Sequence, residues 1–237
     1  MDGVTGVFVP VWITLMLINA DFTRRAIVAS QQCQWVASPQ DGVERVMLDR
    51  VGAEKARATS LVRYAPDSCF PRHLHPGGEE ILVLSGTFSD GSGDYPAGWY
   101  LRNPPGSSHQ PSSAEGTVIF VKLQQMQGRE QRYVRIDTRD PAAWRREEQR
   151  EVCALFCNTT EQVCLQRLAP REAIFETPPD GAELLVLTDN VTLEGQVYEC
   201  GSWLRLPAGE SANLHAGDQG ATVYLKTGHL ADVATEE

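Results

Sequence analysis

Between Val43 and Leu123, short runs of Val, Ile, Leu and Tyr are separated by turns rich in Gly, Pro, Asp and Ser, and the same texture returns from Val152 to Leu230. Short apolar runs bounded by turn residues read as strands, so the pattern predicts an all-β chain.

The two stretches are also copies of one another. Gly78-Glu79-Glu80-Ile81-Leu82-Val83-Leu84 resembles Ala182-Glu183-Leu184-Leu185-Val186-Leu187 at an offset of 104, that is 183 minus 79. The same offset relates Pro66 to Pro170 and Lys122 to Lys226, while an offset of 103 relates Gly98 to Gly201 and Pro104 to Pro207. A repeat of this period predicts two tandem β-rich units. The expected divisions are an apolar extension over 1–30, a first unit over 31–128, a charged linker over 129–151 and a second unit over 152–237. Within the linker, Asp140-Pro141 marks a turn or helix start, followed by a short helix around Trp144.

Composition agrees with this and narrows the partners. A chain of 237 residues, 42% hydrophobic and 22% charged, can bury two cores and is neither disordered nor polytopic. Lys+Arg number 21 against 31 Asp+Glu, a net charge of -10, and such an average field repels a phosphate backbone. The single basic run, Arg145, Arg146 and Arg150, alternates with Glu147, Glu148 and Glu151 and reads as a solvated helical face. Direct nucleic-acid binding is therefore not expected.

Six cysteines, Cys33, Cys69, Cys153, Cys157, Cys164 and Cys200, contain no CxxC pair. They read as reduced, mostly buried thiols of a cytoplasmic protein, with Cys153 and Cys157 meeting across one turn if that segment is helical. The run Val4 to Ile18 is almost wholly apolar but is shorter than the roughly 20 residues of a bilayer span, so no stable membrane insertion is expected. Three readings of it stay open: a weak secretory signal, an upstream start ahead of Met16 that leaves residues 1–15 outside the natural protein, or a strand that exchanges onto a partner subunit. A homodimer is the expected assembly.

The chemistry concentrates in His73-Leu74-His75-Pro76-Gly77-Gly78-Glu79. Residues two apart on a strand share a face, so His73 and His75 project together, and the Pro-Gly-Gly turn returns Glu79 toward them. A further strand-turn-strand unit, Gly98 to His109, supplies another imidazole. Alternation places Glu79, rather than Glu80, on the face shared with Ile81 and Val83.

These two units resemble the paired motifs of the cupin superfamily. Glu79 is followed by six residues and then Gly86, and Gly98 by five residues and then Pro104, Gly106 and His109. Ser68 stands where the first motif has a glycine and Ser113 where the second has an asparagine; neither is a ligand position. The resemblance implies two tandem jelly-roll barrels, joined here by a short helical linker. The first would hold a divalent metal through His73, His75, Glu79 and His109, with open positions facing a small molecule in the barrel mouth. Zinc or iron suits that donor set, and nickel and manganese are compatible with it. Arg72, Tyr95, Trp99, Tyr100 and Arg102 are candidates for lining the pocket or supporting the ligands.

In the second repeat the ligand positions become Thr177, Pro179 and Glu183 at an offset of 104 and Ala212 at 103. His215 lies three residues past the last of these. One carboxylate cannot hold a metal, so a degenerate second barrel is expected.

Over roughly Trp35 to Gln125 the chain is also similar to the cupin domain of the anti-sigma factor ChrR. The similarity rests on Gly42-Val43-Glu44-Arg45, Ala58 to Pro66, Gly93 to Gly98 and Arg102 to His109. In that family the domain binds zinc and accompanies a separate zinc-containing domain that grips the sigma factor. Only about 40 residues precede the barrel here, with Cys33 and no histidine, so the sigma-gripping domain and a sigma-factor partner are not expected. Two classes of function follow: a metal-based sensor or binding module for a small reactive molecule, or a metal-dependent dioxygenase cleaving a diketone or hydroxy-ketone.

Overall fold

A computed structural model describes residues 16–53 and 56–231. The chain is almost entirely antiparallel strand, organised in two large sheets with the same internal order. The first runs Met16–Ile18, Val43–Gly52, Arg57–Tyr64, Thr117–Leu123, Glu79–Asp90, Trp99–Asn103, Val134–Asp137. The second runs Trp144–Glu147, Arg150–Cys157, Gln162–Leu168, Leu214–Thr227, Asp180–Leu193, Trp203–Ala208, Ala26–Val28. Of the apolar run Val4 to Ile18, Met16–Ile18 falls among the described residues and pairs with Val43–Gly52 of its own chain, Leu17 opposite Val51. The three readings of residues 1–15 lie outside the described residues.

The edge strands cross over. Ala26–Val28 precedes the first unit but pairs with Trp203–Ala208 of the second, while Val134–Asp137 precedes the second but pairs with Trp99–Asn103 of the first. The segments read as an extension and a linker therefore each complete a sheet. Pairing these edges also removes exposed donors and acceptors that would otherwise invite association.

The central strands are covered on both faces, which is why Ile81-Leu82-Val83-Leu84 is a continuous apolar run rather than an alternating one. On one face Ile81, Val83, Leu101, Ile119 and Val121 fill the first barrel with Val43 and Val62. On the other, Leu82, Tyr100 and Phe120 pack against Leu155, Phe156, Trp203 and Tyr224 of the second unit. Leu184, Val186, Leu204, Leu206 and Val223 fill the interior of the second.

Three local expectations are corrected. The helix around Trp144 is a single 3-10 turn, Pro141–Ala143, capped by the Asp140 side chain accepting from Ala142 N. Trp144–Glu147 then forms a strand against Arg150–Cys157, closed by a two-residue turn in which Glu148 has a φ of 55°. Arg145 accordingly meets Glu147, two residues on, at 2.5 Å, a strand spacing rather than a helical one. Cys153 and Cys157 lie on that strand and do not meet across a helical turn, and the thiols are not mostly buried: Cys153 is, but Cys69, Cys157 and Cys200 are exposed.

The third correction concerns repeat register. Glu80 stands opposite Arg102 and Lys122, and Glu183 stands opposite Arg205 and Lys226. Glu183 is thus the counterpart of Glu80, at an offset of 103, and the counterpart of Glu79 is Ala182. The carboxylate kept in the second repeat belongs to the interface between the units, not to a ligand position. Among the described residues no helix is long and apolar enough to cross a membrane.

Candidate metal centre

His73–His75 and Ser107–His109 form a small two-stranded ladder in which His109 faces His73 and Ser107 faces His75. Alternation sends His73 and His75 inward and leaves Leu74 exposed on the opposite face. The chain then turns through Pro76-Gly77-Gly78, where Gly78 N donates to His75 O at 3.2 Å. Gly78 has a φ of +78°, and a Cβ there would sit 2.4 Å from Met126 Sδ and 3.1 Å from Asn103 O. Only glycine fits this turn without strain, and the turn delivers Glu79 to the strand that returns past the histidines.

The three imidazoles converge, with ring centroids 4.8 to 5.0 Å apart, and their donor nitrogens lie within 4.8 Å of one another. His75 Nε2 and His109 Nε2 are 3.0 Å apart. Glu79 Oε2 is 3.5 Å from each of those nitrogens. Donors on metal bonds of about 2.1 Å stand roughly 3.0 Å apart at a right angle and roughly 3.4 Å apart at the tetrahedral angle. The spacings among His75, His109 and Glu79, and the imidazole-carboxylate chemistry of the set, fit a divalent metal, with His73 standing farther out at the rim. His75, His109 and Glu79 are buried and His73 is exposed at the rim.

Supporting groups orient the donors. His73 Nδ1 donates to Pro71 O at 3.1 Å, which leaves Nε2 as the free ligand atom. Asp90 Oδ2 lies 3.7 Å from His109 Nδ1. Asn103 Nδ2 donates to Glu79 Oε2 at 3.0 Å, and Arg135 Nη2 donates to Asn103 Oδ1 at 2.7 Å. A chain of hydrogen bonds thus runs from the Val134–Asp137 strand to the carboxylate. Such outer partners fix ligand geometry.

The electrostatics divide the two buried imidazoles. Burial disfavours the imidazolium at both. It wins at His75, whose pKa is lowered. At His109, Asp90 and Glu79 outweigh it, and the pKa is raised.

Of the other residues singled out in the sequence, Arg72 reaches Ser108 Oγ at 3.2 Å on the exposed rim. Tyr95 is buried and its hydroxyl accepts from Arg135 Nε at 3.3 Å, with Trp99 edge-on against its ring. Tyr100 and Arg102 are not brought to the centre. They lie on the even-numbered face, where Tyr100 joins the core between the units and Arg102 pairs with Glu80 and Glu161. Leu101 and Asn103, rather than Tyr100 and Arg102, share the face of Glu79. His215 lies beside Asn213, away from this cluster.

Asp90, Asn103 and Arg135 were missed. Asn103 directly precedes Pro104, but its place opposite Glu79 is seen only in the ladder. Arg135 carried no signal, because its segment read as a linker.

A cavity of about 530 Å³ adjoins the centre, with His73, His75 and Glu79 among its lining residues. Val62, Phe70, Ile119 and Val121 form its apolar wall. The volume lies in the range of small-molecule pockets. A larger groove, about 850 Å³, runs along the second unit past Glu148, Arg150 and Thr177, without a cluster of metal-ligand side chains among the described residues.

Comparison with known proteins agrees with this architecture. Residues 23–127 match the model of the ChrR cupin-like domain. No match is found among curated proteins. Among solved structures, a candidate dioxygenase from Nostoc punctiforme superposes with a TM-score of 0.72 at 16% identity, covering 90% of this chain and 86% of that one. The pirin YhhW from Escherichia coli, in complex with nickel(II), gives 0.64 at 16% identity, covering 86% and 98%. Oxalate decarboxylase from Bacillus subtilis, studied for its Mn(II) centres, gives 0.57 at 12%, covering 86% and 77%. The fold is the cupin fold.

Proposed function

We propose, from the premise that residues 23–127 are a ChrR-like cupin domain, that the protein is a mononuclear metal protein whose first barrel binds a small molecule beside the metal. It acts as a sensor or binding module. The observation that carries this reading is the convergence of His73, His75 and His109 with Glu79, three of these four lining a largely apolar cavity. Four protein donors of this kind leave coordination positions open to the cavity, where a bound divalent ion supplies Lewis acidity or, if iron, redox capacity. The chain's own residues hold the donors, orient Glu79 through Asn103 and Arg135, and give the pocket an apolar wall with Val62, Phe70 and Ile119. The described cavity wall offers no carboxylate other than Glu79 to serve as a general base, which favours binding over acid-base catalysis.

A dioxygenase is the second reading. It is favoured by the apolar cavity next to open positions, and by the similarity in fold to the candidate dioxygenase. Redox cleavage of a diketone or hydroxy-ketone needs no protein nucleophile. Oxygen consumption by iron(II)-loaded protein with 2,4-pentanedione separates the two. A binding module consumes no more oxygen than the His73→Ala/His75→Ala variant, whereas substrate-dependent uptake lost in that variant establishes the oxygenase. We further propose that the chain divides as 31–128 and 152–237 with exchanged edge strands, and that it works as a homodimer.

A further inference from the structure

We propose that the cavity beside the three histidines takes a small organic carboxylate with an apolar body, its anionic end met by the Arg45 guanidinium. This deepens, and rests on, the reading of that cavity as the ligand pocket of the metal centre.

Arg45 sits opposite Val62 in the ladder between Val43–Gly52 and Arg57–Tyr64, and both residues line the cavity. Its Nη2 donates to Ser38 Oγ at 2.6 Å, while its Nε is buried with no hydrogen-bond partner among the described residues. The neighbouring carboxylate, Glu44, faces the other side of the strand and pairs with Arg63 at 2.6 Å. No described carboxylate neutralises Arg45. Arg50 lines the same cavity and adds further positive charge; burial first, and then Arg50, lower the basicity of Arg45. A guanidinium walled into an apolar cavity without a counter-ion is costly, and a bound carboxylate relieves that cost through charge-assisted hydrogen bonds of matched geometry.

Arg45 and Glu79 both line the cavity, together with Tyr64, whose phenol pKa is raised by burial first and then by Glu79, with Arg45 opposing. Val62, Phe70, Ile119 and Val121 supply its apolar wall. An apolar molecule with a carboxylate satisfies both the wall and Arg45; a neutral diketone leaves Arg45 unmet.

Calorimetric titration of the full chain, as purified, with propanoate, hexanoate and 3-phenylpropanoate, each against its neutral amide, tests this. At least one acid is expected to bind about tenfold or more tightly than its amide. Arg45→Gln should remove that preference, so that acid and amide bind alike, and Arg45→Lys should keep part of it. Equal binding of every acid and amide, no acid binding at millimolar concentration, or a preference unaffected by Arg45→Gln would overturn the proposal. The same titration of His73→Ala/His75→Ala, with elemental analysis of every sample, separates this from the metal reading. An Arg45-dependent preference that persists there shows that the guanidinium rather than the metal captures the anion. One equivalent of metal in the intact protein without any acid preference leaves the metal centre standing and removes the carboxylate.

Discussion

Lys226 of the second unit places its ammonium 2.9 Å from the Glu80 carboxylate of the first. The relation is reciprocal, since Lys122 of the first unit lies 2.5 Å from Glu183 of the second. Arg102 crosses to Glu161 and Arg205 crosses to Asp49, the latter at 3.3 Å. All are buried. Each repeat thus supplies a Lys, an Arg and a Glu at equivalent strand positions, and each set of cations is shared with carboxylates of the other unit. Burial pushes the Glu80 pKa up, but Lys226, Arg102 and Lys122 together hold it down at about 2.

Removing one partner of this network leaves a charge buried and unpaired. Glu80→Gln or Lys226→Met should therefore cost about 3–5 kcal/mol, read as a lowered midpoint in urea unfolding. Metal content should not change, because Glu80 faces away from the histidines. A loss of metal in Glu80→Gln would move the ligand role from Glu79 to Glu80.

Stability should fall with acid in a defined window. Glu80, folded pKa about 2 against 4.5 unfolded, contributes stability that is present above 4.5 and lost toward 2. His229 is buried and its pKa is depressed to about 4 from 6.5, so the unfolded chain takes up the proton first and stability declines from pH 6.5 downward. Both effects have the same sign. Thermal melts followed by circular dichroism should show a plateau above about pH 6.5 and a decline below it. Using His73→Ala/His75→Ala removes metal release as a cause; a flat profile down to pH 4 there would contradict the assignment.

Arg135 and Asn103 act on the metal chiefly through Glu79, with Asp90 lying farther from Arg135 Nη2 at 3.9 Å. Arg135→Ala and Asn103→Ala should each weaken metal affinity by about 10–100-fold, measured by competition with a chelator. The pair together should lose little more than either alone, since they form one chain of hydrogen bonds. Additive losses would show independent roles.

The parts legible in the sequence were those set by local spacing. His73, His75 and His109 fall in short motifs whose strand periodicity fixes their face, and the Pro-Gly-Gly turn before Glu79 fixes its return. The all-β class was equally local. What could not be read depended on pairings distant in sequence. Val134–Asp137 and Ala26–Val28 have no pattern that declares which sheet they complete, so Arg135 was invisible as a supporting group. Glu183 aligns with Glu79 only if the offset of 104 that relates Lys122 to Lys226 is carried along the whole repeat; Glu183-Leu184-Leu185-Val186-Leu187 matches Glu80-Ile81-Leu82-Val83-Leu84 at four of five positions, so this register was legible in the sequence. The ladder, with Lys226 opposite Glu183 and Lys122 opposite Glu80, agrees with it. Tyr100 and Arg102 were misplaced because neither polarity nor proximity in sequence tells one face of a doubly buried strand from the other.

The most direct test of the central claim is elemental analysis of protein purified without added metal, comparing the intact chain with His73→Ala/His75→Ala. The account predicts about one equivalent of a divalent transition metal per intact chain and almost none in the variant. Metal absent from both proteins, or retained by the variant, would contradict it.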